Sequence, residues 1–100
     1  MRPLAHPDRE QITLTAVLYA LGDPVRLEIV RMLADRGELC CNAFDASIPK
    51  STMSHHFRIL REAGVIYKRK EGTQHLNTLR RADLEKKFPG LLDVVLTAAE

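Results

Sequence analysis

Between Lys50 and Gly64 the chain reads Lys-Ser-Thr-Met-Ser-His-His-Phe-Arg-Ile-Leu-Arg-Glu-Ala-Gly, a segment that can bury only one side of an α-helix. With each residue about 100° further round the axis, Ser51, Ser54, His55 and Arg58 fall at i, i+3, i+4 and i+7 on one face. Met53, Phe57 and Leu60 repeat at i, i+4 and i+7, and their mean direction lies roughly 150° from the polar set. One side packs, and the other is left to meet a partner. The polar side carries hydroxyls, an imidazole and a guanidinium, with Lys50 at the helix start and Glu62 as its single acid near the far end. Such groups suit base edges and phosphates: Arg58 can bond guanine bidentately, and Ser and His can bond either bases or phosphates.

The surrounding chain supplies what such a helix needs. Gln11 to Leu21 places Leu14, Val17, Leu18 and Leu21 at helical spacing and ends at Gly22. Asp23-Pro24 combines a capping carboxylate with a proline pre-set for the first turn, so a second helix runs over Val25 to Asp35 with Leu27, Ile29, Val30 and Leu33 inward and Gly37 closing it. Glu38 to Ala46, with Leu39, Cys40, Ala43 and Phe44, is expected to form a short third helix. Ser47-Ile48-Pro49 is expected to turn the chain into the Lys50 to Ala63 helix, with Pro49 at its first position and Gly64 ending it. Two helices joined by a tight turn, the second with a polar face, make a helix-turn-helix.

Val65 to Lys70 and Thr73 to Leu79 flank Glu71-Gly72 and read as a hairpin, a wing with Lys68, Arg69 and Lys70 near its tip as phosphate contacts. Asp83 is expected to cap a closing helix that Pro89-Gly90 interrupts after Phe88. Beyond the break, Leu91, Leu92, Val95, Leu96 and Ala99 form a stripe too apolar to leave in water. The fold class expected is mainly α with a small β-hairpin, a winged helix-turn-helix. Residues 1–10 form an extended N-terminal arm and residues 11–100 a single domain. Dimerisation through the N- and C-terminal helices, by Leu14, Val17, Leu18, Leu92, Val95 and Leu96, would cover the apolar stripes.

Composition narrows the function further. The 100 residues carry a formal net charge of only +2 with 28% charged residues, so attraction to nucleic acid has to come from local clustering. No apolar run approaches the length of about 18 residues that a membrane span needs. The first ten residues turn charged before a signal-peptide core can develop. Two adjacent cysteines, Cys40 and Cys41, do not make a disulfide framework, and a reducing, cytoplasmic setting is expected.

Asp23-Pro24-Val25-Arg26-Leu27, Ser51-Thr52-Met53-Ser54-His55-His56, Leu60-Arg61-Glu62-Ala63-Gly64-Val65-Ile66 and Lys70-Glu71-Gly72 together resemble the ArsR/SmtB family of bacterial winged-helix transcriptional regulators. The resemblance runs from about Leu14 to Leu96. It implies a homodimer with paired reading helices on double-stranded DNA with a palindromic operator, usually a repressor released by a signal. It places the reading role on Lys50, Ser51, Ser54 and His55; Arg58 is added on geometry alone. Many metalloid sensors of the family carry Glu-Leu-Cys-x-Cys before the reading helix, whereas here Glu38-Leu39-Cys40-Cys41-Asn42 has Asn in place of the second cysteine. The family's other metal site needs Asp and His on the last helix, and Asp83 to Glu100 contains no His. No metal and no cofactor is therefore expected. His6 and His75 have no partner at ligand spacing. His56 lies about 100° from His55 and is expected to be structural or solvent-facing.

Two further readings accompany the DNA-binding one. Cys40 and Cys41 can serve as a thiol-based redox sensor, since a thiolate near a helix N-terminus is activated. Alternatively the winged helix binds another protein and leaves the polar face idle. An enzyme is not expected, because no nucleophile-base order, phosphate-cradling glycine loop or carboxylate pair is present.

Overall fold

The computed structural model describes residues 5–44 and 46–99; the first four residues of the expected arm, Asp45 in the expected third helix, and Glu100 lie outside them. A 3-10 turn at Arg9–Gln11 leads into α1 (Leu14–Leu21), α2 (Pro24–Arg36), β1 (Leu39–Cys40), α3 (Lys50–Glu62), β2 (Ile66–Glu71), β3 (Gln74–Leu79), α4 (Arg81–Lys87) and α5 (Leu91–Ala98). The first helix starts later than its periodicity suggested. Thr13 accepts a hydrogen bond from the Ala16 amide and so caps α1 at Leu14. At the next boundary Asp23 caps α2 by accepting from the Val25 and Arg26 amides at 2.9 and 3.1 Å, with Pro24 opening the helix as expected. The helix ends at Gly37, whose positive φ of 84° lets the backbone turn away.

The expected third helix is not there. Leu39 and Cys40 pair with Asn77 and Leu76 as an added strand, and Cys41–Ala43 make one 3-10 turn. The segment is short and holds Cys, Asn and Phe, all weaker helix formers than Ala. The free edge of β3 offers its backbone groups a better set of bonds. The hairpin is thus part of a three-stranded antiparallel sheet in the order β1-β3-β2. Asn77, fully buried in its central strand, donates from Nδ2 to the Leu39 carbonyl at 3.4 Å and to Cys41 Sγ at 3.3 Å.

Two other boundaries differ. Pro49 takes the cap position of α3 rather than its first turn, a shift of one residue. Asp83 does not cap α4. Arg80 stands at that cap, and its guanidinium donates to Asp83 Oδ2 at 2.9 and 3.0 Å.

The core is one cluster in which Val17, Ala20 and Leu21 of α1 meet Ile29, Val30 and Leu33 of α2, Phe57 and Leu60 of α3, Val65 and Ile66 at the base of the wing, and Leu84 and Leu92 of the last two helices. Phe44 closes it from the loop before α3, edge-on to Phe57 with ring centroids 5.2 Å apart. Leu27, expected inside, is only half-buried.

Residues 5–8 are not a free arm. His6 Nε2 accepts the Lys68 amide at 2.9 Å on the outer edge of β2, and the ring packs edge-on against Tyr67. Arg80 donates to the Pro7 carbonyl at 2.7 Å while its guanidinium stacks 4.3 Å from the Tyr67 ring centre.

Candidate nucleic-acid interface

Helix α3 divides its residues as its sequence requires. Phe57, Leu60 and His56 are buried and Met53 and Ile59 half-buried, while Lys50, Ser51, Thr52, Ser54, His55 and Arg58 are exposed. Every base-reading candidate therefore lies on the open side of one helix. Arg58 donates to His55 Nδ1 at 3.2 Å and stands 3.6 Å from Glu62. Both groups of that ion pair are more than half exposed, so the pair is weak and easily exchanged for a phosphate or a base.

The three wing cations differ in availability. Strand alternation puts Lys68 and Lys70 on the same face as buried Ile66, and Lys68 Nζ sits 6.0 Å from the Phe57 ring centre, against the flank of α3. Lys70 is exposed opposite His75. Burial, and then the charges of Lys68 and Lys70, hold the His75 imidazole below its ordinary value.

Arg69 points the other way. It donates to both carboxylate oxygens of Glu38 at 2.8 and 3.0 Å and to Glu71 at 2.7 Å. Hydrogen bonding from Arg69 keeps the Glu38 carboxyl below its usual range, and the two carboxylates drive the Arg69 guanidinium further up. Of the three expected phosphate contacts, Arg69 is thus the one already neutralised within the protein.

Cys40 and Cys41 are free thiols, both half-buried, on and just after β1. The helix start invoked for their activation is here a 3-10 turn of three residues. No group of three or more His, Cys, Asp or Glu residues suited to a metal occurs among the described residues. Of the expected dimer contacts, Leu14 and Leu18 are 45% and 46% exposed, and Val95 and Leu96 are half-buried. Val17 and Leu92, at 1% and 3%, are spent on the protomer's own core and have no surface to offer a second copy. Tyr19 and Val94, which the stripes did not include, are exposed to 66% and 68%.

Known proteins share this fold. The family described as bacterial regulatory protein, arsR family, matches residues 23–68, from the cap of α2 to the middle of β2. The uncharacterized HTH-type transcriptional regulator YceK of Bacillus subtilis is 37% identical over 82 residues, covering 79% of this chain and 82% of that protein. The chain belongs to the ArsR family. An arsenical resistance operon repressor of Escherichia coli is 46% identical over 56 residues, which span 52% of this chain and 46% of that longer ArsR protein. Among solved structures, the transcriptional repressor BigR from Xylella fastidiosa superposes with a TM-score of 0.66 at 28% identity, covering 85% of this chain and 84% of that one. The winged-helix architecture is that of ArsR regulators, and the chain is a transcriptional regulator of this family. No helix among the described residues is long and apolar enough to cross a membrane.

Arg26, Arg80 and Asn77 are all buried, and local periodicity does not single them out. Arg26 lay inside the quoted Asp23 to Leu27 motif. An arginine two residues after a capping Asp-Pro pair, on the inward stripe of a helix, was the available signal.

Proposed function

We propose that this ArsR-family chain is a sequence-specific DNA-binding repressor acting in the cytoplasm as a homodimer on a palindromic operator. The observation that carries the reading is the open face of α3, where Lys50, Ser51, Ser54, His55 and Arg58 stand together in solvent directly opposite a buried stripe. Each α3 enters a major groove, with half-sites about one helical turn apart. Lys68 and Lys70 reach phosphates beside the groove. Exposed Leu14, Leu18, Tyr19 and Val94, with the accessible parts of Val95 and Leu96, supply the apolar surface of the dimer.

The test is a titration against DNA from upstream of the chain's own gene at several salt concentrations. Neutralising six to ten phosphates lowers affinity by about 10³-fold or more between 50 and 200 mM salt. Affinity that stays flat across that range rules the reading out. Running the titration with reductant and with a mild oxidant examines the thiol reading, which the contact of Asn77 Nδ2 with Cys41 Sγ favours, because an oxidised sulfur there disturbs the β1–β3 pairing. Binding lost on oxidation makes Cys40 and Cys41 sensor residues; binding unchanged leaves them structural.

The Glu38–Arg69 clasp yields a separate expectation. In Glu38→Gln the bidentate carboxylate is gone, and Arg69, held then only through its exposed pair with Glu71, can swing to a phosphate. Affinity for operator DNA is expected to rise about threefold to tenfold, and the slope of log K against log salt to steepen by about 0.9, one phosphate's worth. Since the Glu38 carboxyl titrates below the usual range, the wild-type clasp stays ionised at neutral pH, where the two proteins are compared. An unchanged slope would show that Arg69 stays off the backbone.

A further inference from the structure

The buried guanidinium of Arg26 ties three helices together. Its Nε donates to the Ala20 carbonyl at 2.7 Å and its Nη2 to the Tyr19 carbonyl at 3.1 Å, which also accepts the Gly22 amide at the end of α1. Its Cζ lies 5.2 Å from the Tyr19 ring centre. Its remaining arm, Nη1, is 3.2 Å from His56 Nδ1, on the inner side of α3. Arginine has only donors, so Nδ1 must be the bare, accepting nitrogen of a neutral imidazole whose proton sits on Nε2. Asp23 Oδ2 is 3.8 Å from the same Nδ1, too far for a hydrogen bond, and is already taken by the amides that begin α2. Burial works to raise the Asp23 carboxyl, but the Arg26 and Val25 amides, with the Arg26 charge, act to lower it, and it stays below its ordinary value, so the cap is ionised.

His56 follows His55 directly, and its ring is the polar group by which the inner side of α3 is held. A reading helix works only if its outward side chains are kept within about 0.5 Å and 10–20° of the geometry they need. Apolar contacts through Phe57 and Leu60 fix how deeply α3 sits but tolerate some rotation about its axis, whereas a directional hydrogen bond does not. The opposite end of the link is the last turn of α1, where Leu18 and Tyr19 are exposed, as is Leu14 at the start of the helix.

We infer that Arg26 and His56 are a positioning pair that sets the rotation of the reading helix relative to α1, so that a displacement of α1 is passed to Ser54 and His55. The inference rests on the DNA-reading role of α3. Neither residue touches DNA in this scheme. Arg26 holds His56, and His56 holds the helix.

The test compares two replacements of His56. In His56→Asn the side-chain carbonyl oxygen takes the place of Nδ1 and still accepts from Arg26; in His56→Leu the bulk is kept and the acceptor lost. Operator affinity of His56→Asn is expected within about threefold of wild type, and that of His56→Leu at least tenfold weaker, while both variants keep a cooperative thermal transition. Equal affinities of the two variants overturn the inference, because a merely space-filling His56 does not distinguish them. A second measurement needs no variant: the imidazole nitrogen-15 spectrum of the wild-type protein at neutral pH. A bare Nδ1 is expected, and a proton on Nδ1 overturns the pair whether or not the variants fold. Wild-type protein that binds no DNA defeats the reading role of α3 and this inference together, whereas wild-type binding with indistinguishable variants defeats the inference alone.

Discussion

Replacing Ser54 and His55 together by alanine is expected to abolish specific DNA binding while leaving the fold and the association of copies intact. Both side chains are exposed, and Ser54 makes no contact on which the core relies. His55 gives up its bond from exposed Arg58 and a tilted ring contact with His56 at 6.0 Å between centroids. Folding stability should therefore move by no more than about 0.5 kcal/mol, as for other surface positions. Binding is a different matter. A base-directed contact is worth about 1–3 kcal/mol, so losing two weakens operator binding by roughly thirtyfold at the least and by roughly 20,000-fold at the most. Electrophoretic mobility shift with operator and with scrambled DNA separates the effects: affinity for the scrambled duplex, which rests on phosphates, should hardly change. If operator binding survives and the variant still associates, α3 is not the reading element, and the winged helix serves as a protein-interaction module.

The second large effect is on stability. Gly64→Ala is expected to cost about 2–5 kcal/mol, summing the penalty of about 1–2 kcal/mol for a left-handed alanine with about 1–3 kcal/mol for overpacking. Gly64 has φ +84°, and a Cβ built there falls 2.5 Å from Ile12 Cγ1 and 2.6 Å from Ile12 Cδ1. Ile12 is itself 1% exposed and has nowhere to go. The backbone cannot escape either. Val65 N–H bonds back to the Leu60 carbonyl at 2.9 Å and Gly64 N–H to the Arg61 carbonyl at 3.0 Å, the paired closure that ends a helix through a left-handed residue. In a domain of this size the loss corresponds to a fall in Tm of about 10 °C or more, readable by circular dichroism. Gly72→Ala is the control: φ is +62° there too, but a Cβ meets nothing within 4 Å, so only the backbone strain remains. Equal losses for the two variants would mean that the Ile12 contact contributes nothing.

What could be read from the residues was whatever repeats locally. Met53, Phe57 and Leu60 repeat at the helical interval, Asp23-Pro24 carries its own cap, and Glu71-Gly72 breaks an alternating run; the helices, the hairpin and the open face of α3 followed from these. What escaped depended on partners far along the chain. Leu39 and Cys40 became a strand only because β3 passes beside them, and nothing in their own spacing says so. Arg69 looked like a free cation until Glu38, 31 residues earlier, was found against it. Val17 belonged to the right stripe, but a stripe does not tell which of its members the protomer keeps. The same holds for Leu92, which lies on the inner side of α5 while Val94 faces solvent. His56 was correctly set apart from His55, and the charge that fixes its tautomer lay 30 residues away in Arg26.

The place of β1 in the sheet also bears on how the chain assembles. Its two residues pair with a strand far along the chain, Leu39 with Asn77, 38 positions away. Closing a loop of that length costs about 3 kcal/mol of chain entropy, more than two residue pairs return on their own. The β2–β3 hairpin spans a two-residue turn and α3 is local, so both can form before the loop closes. Strand β1 is then the last strand to join the sheet and the first to leave it. Amide hydrogen exchange at Leu39 and Cys40 should accordingly run ahead of that at the hairpin's own paired amides, which makes this corner of the sheet the chain's earliest opening event.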